Sequence, residues 1–170
     1  IEAALDALEG AKNPLVIIGK GMAWSRAEDE VRAFIERTQL PFLASPMGKG
    51  VVDDNHPLSV GAARSHALKE ADVVFLMGAR LNWIMHFGSK PRFKENVKII
   101  QLDIAHEAIG SNIPTQVPLV GDGKAITEQL NTALSRRQWF YPADTEWRSA
   151  LKEKADANAA QIQPMIDDDS

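Results

Sequence analysis

The chain has 170 residues, of which 45% are hydrophobic and 25% charged, and its formal net charge is −4. This composition is typical of one folded domain with an apolar core, and the weak negative charge argues against a nucleic-acid or membrane surface. The chain has no cysteine, which excludes disulfides and thiolate metal sites.

The first part of the chain alternates helical stretches with a short apolar run. Residues 1–14 read as a helix, and residues 15–18 form an apolar run typical of a buried parallel strand. Residues 25–38 have helical periodicity, with Ser25 as the expected N-cap and Glu28 completing a capping box.

The rest of the chain repeats this alternation, which predicts an α/β fold: a Rossmann-like parallel sheet with helices on both faces. Pro118 cannot donate a hydrogen bond to a sheet, so the last strand should lie at an edge. The predicted elements are a strand at 41–44, a loop at 45–61, a helix at 62–71, a strand at 73–77, an irregular stretch at 82–96, strands at 97–102 and 117–120, and a helix from 123 to about 134.

The last part of the chain differs in character. We expect residues 1–134 to form the domain and residues 135–170 to form a connecting arm with a polar helix at 145–162. An arm without strands should pack loosely from about residue 136 when no neighbour covers it. Because the chain opens inside a helix and ends without a closing element, we also expect it to be a piece of a larger enzyme.

Three strand ends carry candidate binding residues. Gly19-Lys20-Gly21, Gly78-Ala79-Arg80 and Asp103-Ile104 follow strands whose carboxyl ends should share one edge of the sheet, where open parallel sheets bind ligands. The glycines would let the backbone approach a ligand, the arginine could hold phosphate, and the aspartate could accept ribose hydroxyls. Each residue also has an ordinary structural explanation, as a turn glycine or a solvated charge, so spacing alone leaves both interpretations open.

Other site types are disfavoured. The dinucleotide fingerprint would need a third glycine at position 24, which is Trp24, and an acidic residue after the second strand, where Ala44 and Ser45 stand. No two histidines have the spacing of a zinc-binding helix, so we predict no metal site; the four histidines are His56, His66, His86 and His106.

Four segments resemble the central domain of thiamine-diphosphate-dependent enzymes that act on acyl-CoA thioesters. They are LVIIGKGMAW, LPFLASPMGKGVVDDNHPLSVGAARSHAL, ADVVFLMGARLNWIMHFG and KIIQLDI, within residues 13–134. The most similar types are 2-hydroxyacyl-CoA lyase and oxalyl-CoA decarboxylase. PMGKGVV and HFGSKPRF are more similar to the lyase.

The resemblance implies a role in binding and assembly. In this family the central domain contributes to coenzyme A binding, and in the decarboxylase branch it holds ADP as an activator. The implied nucleotide-contact residues are Gly21, Arg80 and Asp103, with Ile104 beside them, and Arg64 of GAARS near the coenzyme A phosphates. The enzyme's own N- and C-terminal domains would hold thiamine diphosphate and Mg²⁺, so the isolated chain is expected to be inactive.

One short motif resembles part of a thiamine diphosphate site. Gly121-Asp122-Gly123 matches the opening of the family's diphosphate motif, but the window where its asparagine should follow reads EWRSAL. We interpret Asp122 as the cap of the helix that begins at residue 123, and we expect neither thiamine diphosphate nor magnesium on this chain.

Three functions remain open from the sequence. The first is the central domain of an intracellular 2-hydroxyacyl-CoA lyase, peroxisomal or cytoplasmic and oligomeric when full-length. The second is the same domain of an ADP-activated oxalyl-CoA decarboxylase. The third is a structural spacer that binds no ligand.

Overall fold

The computed structural model describes residues 1–82, 90, 92–111 and 113–167. Short 3-10 turns at Pro46–Gly48, Gly61–Ala63 and His106–Ala108 interrupt its loops. The helices and strands are α1 (Glu2–Glu9), β1 (Pro14–Ile18), α2 (Lys20–Trp24), α3 (Glu28–Thr38), β2 (Phe42–Ala44), α4 (Arg64–Glu70), β3 (Val73–Met77), β4 (Lys98–Asp103), β5 (Val117–Val120), α5 (Gly123–Arg137) and α6 (Glu146–Asp167).

The five strands form one parallel sheet in the order β2-β1-β3-β4-β5. Every residue of β1 and β3 is buried. Since successive side chains of a strand point to opposite faces, this burial means that both faces of the sheet are covered, as the apolar runs predict. The predicted edge position of β5 is confirmed. The chain returns from β2 to the other side of β1, so the strand order reverses between β1 and β3.

The predicted helix at 25–38 is wrong at its start. Residues 20–24 form a separate short helix, and Ser25 ends it, donating its hydroxyl to the Met22 carbonyl at 3.2 Å. Arg26 has a φ of 55°, in the left-handed region, so the chain cannot continue as a right-handed helix through this residue. The longer helix α3 therefore begins at Glu28, and Ala27 occupies its N-cap position without a side-chain cap.

The first half of the predicted arm is part of the core, so the expectation of loose packing is wrong there. Tyr141, Trp147 and Leu151 are buried. The Tyr141 hydroxyl donates to the Lys12 carbonyl at 2.9 Å, and the Trp147 indole donates to the Pro14 carbonyl at 2.8 Å. These bonds attach the arm to the amino-terminal edge of the sheet, beside the start of β1.

An ion cluster joins α1 to the end of α5. The Arg137 guanidinium pairs with the carboxylates of Glu2, Asp6 and Glu9, which lie on one face of α1. Hydrogen bonds to Glu2, and then to Asp6, raise the pKa of Arg137 above its ordinary value. The first helix of the chain is thereby tied to the helix that follows the last strand.

The second half of α6 leaves the domain surface. Asn158 still donates to the Ala62 carbonyl at 2.8 Å, but Ile162, Met165 and Ile166 are exposed. Because these three side chains follow Trp147 and Leu151 at helical spacing, the apolar face of α6 continues past the sheet into solvent. Among the described helices, none combines the length and apolar character needed to cross a membrane.

We predict that Trp147→Ala lowers the free energy of unfolding by about 3–5 kcal/mol, as expected for deleting a large buried aromatic side chain. The matched control is Phe140→Ala, in the same segment, because Phe140 is 61% exposed. Its effect should stay within about 0.5 kcal/mol. Urea unfolding of both variants measures the difference, and equal small losses would contradict the packing of the arm.

The single tyrosine of the chain provides a pH-dependent test. Burial raises the pKa of Tyr141 above the ordinary value of 10.0. When the pKa of a phenol is higher in the folded state than in the unfolded state, the phenol contributes stability that is fully present below its pKa in the unfolded state. This contribution is lost as the pH rises through its pKa in the folded state. Phenolate absorbance should therefore titrate at higher pH in the folded chain than in urea. The stability difference between the parent and Tyr141→Phe should shrink over the same interval.

Candidate functional site

A cleft of about 770 Å³ opens at the carboxyl edge of the sheet, where the strand order reverses. This is the position at which open parallel sheets bind ligands, and the volume is ordinary for a small-molecule site. Its walls come from the segments that follow β1, β2, β3 and β4 and from the start of α5. The lining residues are Gly19, Lys20, Gly21, Met22, Trp24, Ser25, Ser45, Pro46, Met47, Gly78, Ala79, Arg80, Asn82, Leu102, Asp103, Ile104, Asp122 and Gly123.

The segments after β1 and β3 touch through glycine backbone. A Cβ built at position 19 would lie 2.3 Å from the Gly78 carbonyl oxygen, and one at position 21 would lie 2.9 Å from the Gly78 Cα. The Gly21 amide donates to the Gly78 carbonyl at 3.1 Å. Gly21 lines the cleft as predicted, but its missing side chain makes room for Gly78, and its amide is already bound.

The segment after β2 is pressed onto the end of β1 in the same way. Ser45 donates its amide to the Ile18 carbonyl at 2.9 Å, and a Cβ at Gly48 would lie 2.2 Å from that carbonyl oxygen. Further along, the Arg32 guanidinium donates to the Val51 carbonyl at 2.8 Å and so holds the loop against α3. The wall formed by residues 45–47 is therefore fixed at both ends.

Arg80 and Asp103 form an ion pair inside the cleft. The Arg80 Nε donates to Asp103 Oδ2 at 3.1 Å and the Nη2 donates to Oδ1 at 3.3 Å. The Arg80 side chain is 53% exposed, whereas that of Asp103 is only 5% exposed. The hydrogen bond to Asp103 raises the pKa of Arg80. The structure thus brings together two predicted residues that the sequence treated as separate ligand contacts.

The mouth of the cleft is apolar. Trp24, Met47 and Ile104 line it and are mostly exposed. The Lys20 ammonium lies 5.3 Å from the centroid of the Trp24 ring, within the range of a cation–π interaction. The cleft therefore offers flat or branched apolar surface at its rim beside two cationic side chains, Lys20 and Arg80.

Arg64 does not join this group. It begins α4, is half-buried, and is absent from the cleft lining. Burial lowers the pKa of its guanidinium. The placement of Arg64 near the coenzyme A phosphates, which the family resemblance implies, therefore stays a prediction. It would concern a position separate from the cleft.

Comparison with known proteins gives the identity of the domain. The family model described as the thiamine pyrophosphate enzyme central domain matches residues 1–130. The chain belongs to this family.

Three relatives of this central domain each have a coenzyme A thioester in their name. The chain is 52% identical to 2-hydroxyacyl-CoA lyase 1 of Mus musculus over 93% of its length, and 42% identical to 2-hydroxyacyl-CoA lyase of Oryza sativa subsp. japonica over 98%. It is 41% identical to oxalyl-CoA decarboxylase of Escherichia coli (strain K12) over 100%. It spans 27%, 29% and 30% of these proteins, respectively.

Among the residues that the structure describes, those of the central domain do not fit thiamine diphosphate with its metal. The Asp122 carboxylate accepts the Ala125 amide at 2.9 Å, which confirms it as the N-cap of α5. Trp147, in the window where the motif's asparagine would follow, lies at the opposite edge of the sheet, bonded to Pro14. Within the described residues, no group of three or more His, Cys, Asp or Glu side chains could hold a metal ion.

Several cleft residues of this central domain were not predicted. Trp24, Met47 and Asp122 line the cleft, whereas Lys20 lies in the predicted Gly19-Lys20-Gly21 segment. Trp24 was missed because it lies at the end of α2, one helix beyond the end of β1. The HFGSKPRF and GARLNW segments, with His86, fall partly or wholly outside the described residues, so their predicted roles stay predictions.

The glycine contacts can be tested by a matched pair of substitutions. Gly78 has a φ of 64° and a Cβ there would lie 2.8 Å from the Gly21 Cα, whereas Gly50 has a φ of 90° and open space around it. Both Gly→Ala changes should cost about 1–2 kcal/mol for the left-handed backbone. Gly78→Ala should lose roughly 1–3 kcal/mol more, because its methyl group overpacks the contact.

Urea unfolding gives both values. If Gly78→Ala and Gly50→Ala lose the same stability, the contact between the two turns relaxes easily and does not shape the cleft.

Proposed function

We propose that this chain is the central domain of a thiamine-diphosphate-dependent 2-hydroxyacyl-CoA lyase and that its cleft binds an adenine nucleotide, either that of coenzyme A or ADP. The observation that carries the proposal is the composition of the cleft. Apolar side chains stand beside Lys20 and Arg80 at the point where the strand order reverses. A flat base with a charged phosphate chain has the complementary chemistry.

The apolar and cationic surfaces of the cleft indicate where each part of the nucleotide would lie. The adenine ring would lie against the apolar mouth, where Ile104 and Trp24 offer exposed surface. The phosphates would point to Lys20 and Arg80, whose cationic groups can donate charge-assisted hydrogen bonds. The start of α5 is a poor phosphate site, because the Asp122 carboxylate already caps it.

Two chemistries compete for the full-length enzyme. The identity of 52% to the mouse lyase against 41% to the decarboxylase favours the lyase. The rice lyase, at 42%, is only one percentage point more similar than the decarboxylase, so identity to it barely separates the two activities. An ADP-activated oxalyl-CoA decarboxylase is the second candidate. In either case we assign thiamine diphosphate, Mg²⁺ and the choice of acyl group to the enzyme's other domains.

A spacer without ligand is the remaining candidate, and one observation favours it. Arg80 and Asp103 already satisfy each other. A paired Arg and Asp at a strand end can serve packing alone, so their presence does not by itself require a nucleotide.

Assembly is the second part of the proposed role. The exposed Ile162, Met165 and Ile166 of α6 form an apolar surface that another domain of the enzyme, or another subunit, could cover. We also propose that the full-length enzyme is oligomeric and acts inside the cell, where coenzyme A thioesters are used.

Calorimetric titration of the chain with ADP and with coenzyme A tests the proposal. We expect micromolar to millimolar dissociation constants, since about two charge-assisted bonds and the burial of a base must offset the cost of association. Arg80→Ala should weaken binding about 10-fold, the size of one such bond.

Arg136→Ala is the matched control, because Arg136 is exposed near the far end of α5, roughly 20 Å from the cleft. It removes the same charge without touching the cleft and should bind like the parent. If the folded parent binds neither ligand at millimolar concentration, the spacer interpretation replaces this one.

A further inference from the structure

Asp103 has almost no surface with which to contact a ligand. Its side chain is only 5% exposed. Oδ1 accepts both the Ala105 amide at 2.9 Å and Arg80 Nη2, and Oδ2 accepts Arg80 Nε. A carboxylate offers about four lone-pair sites, of which these bonds occupy three. A ribose hydroxyl would therefore have to reach the last one through a nearly closed surface.

Arg80 has the opposite character. A guanidinium carries five N–H donors in a planar fork. Asp103 takes the side edge, formed by Nε and Nη2, and leaves the end edge, formed by Nη1 and the second hydrogen of Nη2. This end edge belongs to a half-exposed side chain in the cleft wall, and it matches the spacing of two phosphate oxygens.

We propose that Asp103 is a positioning residue: it clamps the side edge of Arg80 so that the end edge is presented to the phosphate chain of the ligand, and it does not itself contact the ribose. This inference rests on the proposed nucleotide binding, and it assigns to the Arg80–Asp103 pair the selection of phosphate-bearing ligands in the same cleft. The cleft would then select ligands that carry phosphates, because Asp103 orients Arg80 toward the phosphate oxygens without contacting the ligand itself.

The two roles of Asp103 predict opposite effects of Asp103→Asn. The asparagine is isosteric and its Oδ1 can still accept the Ala105 amide, but the NH2 group that replaces Oδ2 cannot accept from Arg80 Nε, and the charge of the pair is lost. A simple Coulomb effect would tighten phosphate binding, since a negative charge leaves the cleft. Loss of positioning should instead weaken it roughly three- to tenfold, because the ligand must now immobilise the arginine side chain.

Asp122→Asn is the matched control. Asp122 is the second aspartate of the cleft lining, and an asparagine caps a helix equally well. This variant removes the same charge from the same cleft and leaves the Arg80 pair intact. It should bind ADP somewhat more tightly than the parent.

The experiment titrates the parent and both variants with ADP, inorganic pyrophosphate and adenosine. The proposal expects Asp103→Asn to weaken ADP and pyrophosphate by the same factor and to leave adenosine unchanged. Equal weakening of adenosine would make Asp103 a ribose contact and overturn the proposal. Unchanged or tighter ADP binding by Asp103→Asn would overturn it as well. If the parent itself binds none of the three, the proposed function fails first and the phosphate role of Asp103 falls with it.

A spectroscopic measurement guards against a variant that does not fold. In the parent without ligand, the Arg80 Nε–H should exchange slowly with solvent in ¹⁵N–¹H spectra, because it is held by Asp103. An Nε–H that exchanges as fast as those of exposed arginines would overturn the clamp without any substitution. Arg80→Lys provides a second variant, since it keeps the charge but has no second edge, and it should lose pyrophosphate affinity as Asp103→Asn does.

Discussion

The close contact between the turns after β1 and β3 is the constraint on which the site depends. These two strands are the buried centre of the sheet, and the chain turns away from them in opposite directions. The turns can meet only because positions 19, 21 and 78 carry no Cβ, since a methyl group at any of them would lie within 3 Å of opposing backbone. The glycines that look like a ligand loop in the sequence are therefore first a packing device, and the cleft lies beside that contact.

The two edges of the sheet have separate tasks. The carboxyl edge carries the cleft, whereas the amino edge receives Tyr141 and Trp147 through hydrogen bonds to Lys12 and Pro14. Stability supplied by the arm therefore enters on the side away from the cleft, with the length of β1 in between. This separation lets residues of the arm affect folding without entering the chemistry of the cleft.

Strands were predictable because each is a short, mostly apolar run, and the central β1 and β3 are buried on both faces. The strands β3 and β5 have the predicted bounds. The break at Ser25 was not predictable, because five residues are too few to show a period and the left-handed Arg26 has no signal in its residue type. For the site, strand ends identified Gly21, Arg80, Asp103 and Ile104 as cleft residues. Their pairing was hidden, since Arg80 and Asp103 lie 23 residues apart and meet only through the register of β3 on β4.

The charge balance of the cleft limits what it can hold. Two cations, Lys20 and Arg80, share it with two carboxylates, and each carboxylate is engaged: Asp103 by the guanidinium and Asp122 by the first turn of α5. A bound phosphate would therefore meet a nearly neutral site, with Lys20 and the unpaired edge of Arg80 as its cationic partners, unlike a glycine-rich loop that offers several backbone amides at once. Binding must draw on the apolar mouth as well as on charge. Such a site suits a ligand with an aromatic ring at one end and a few charges at the other, held weakly enough to exchange.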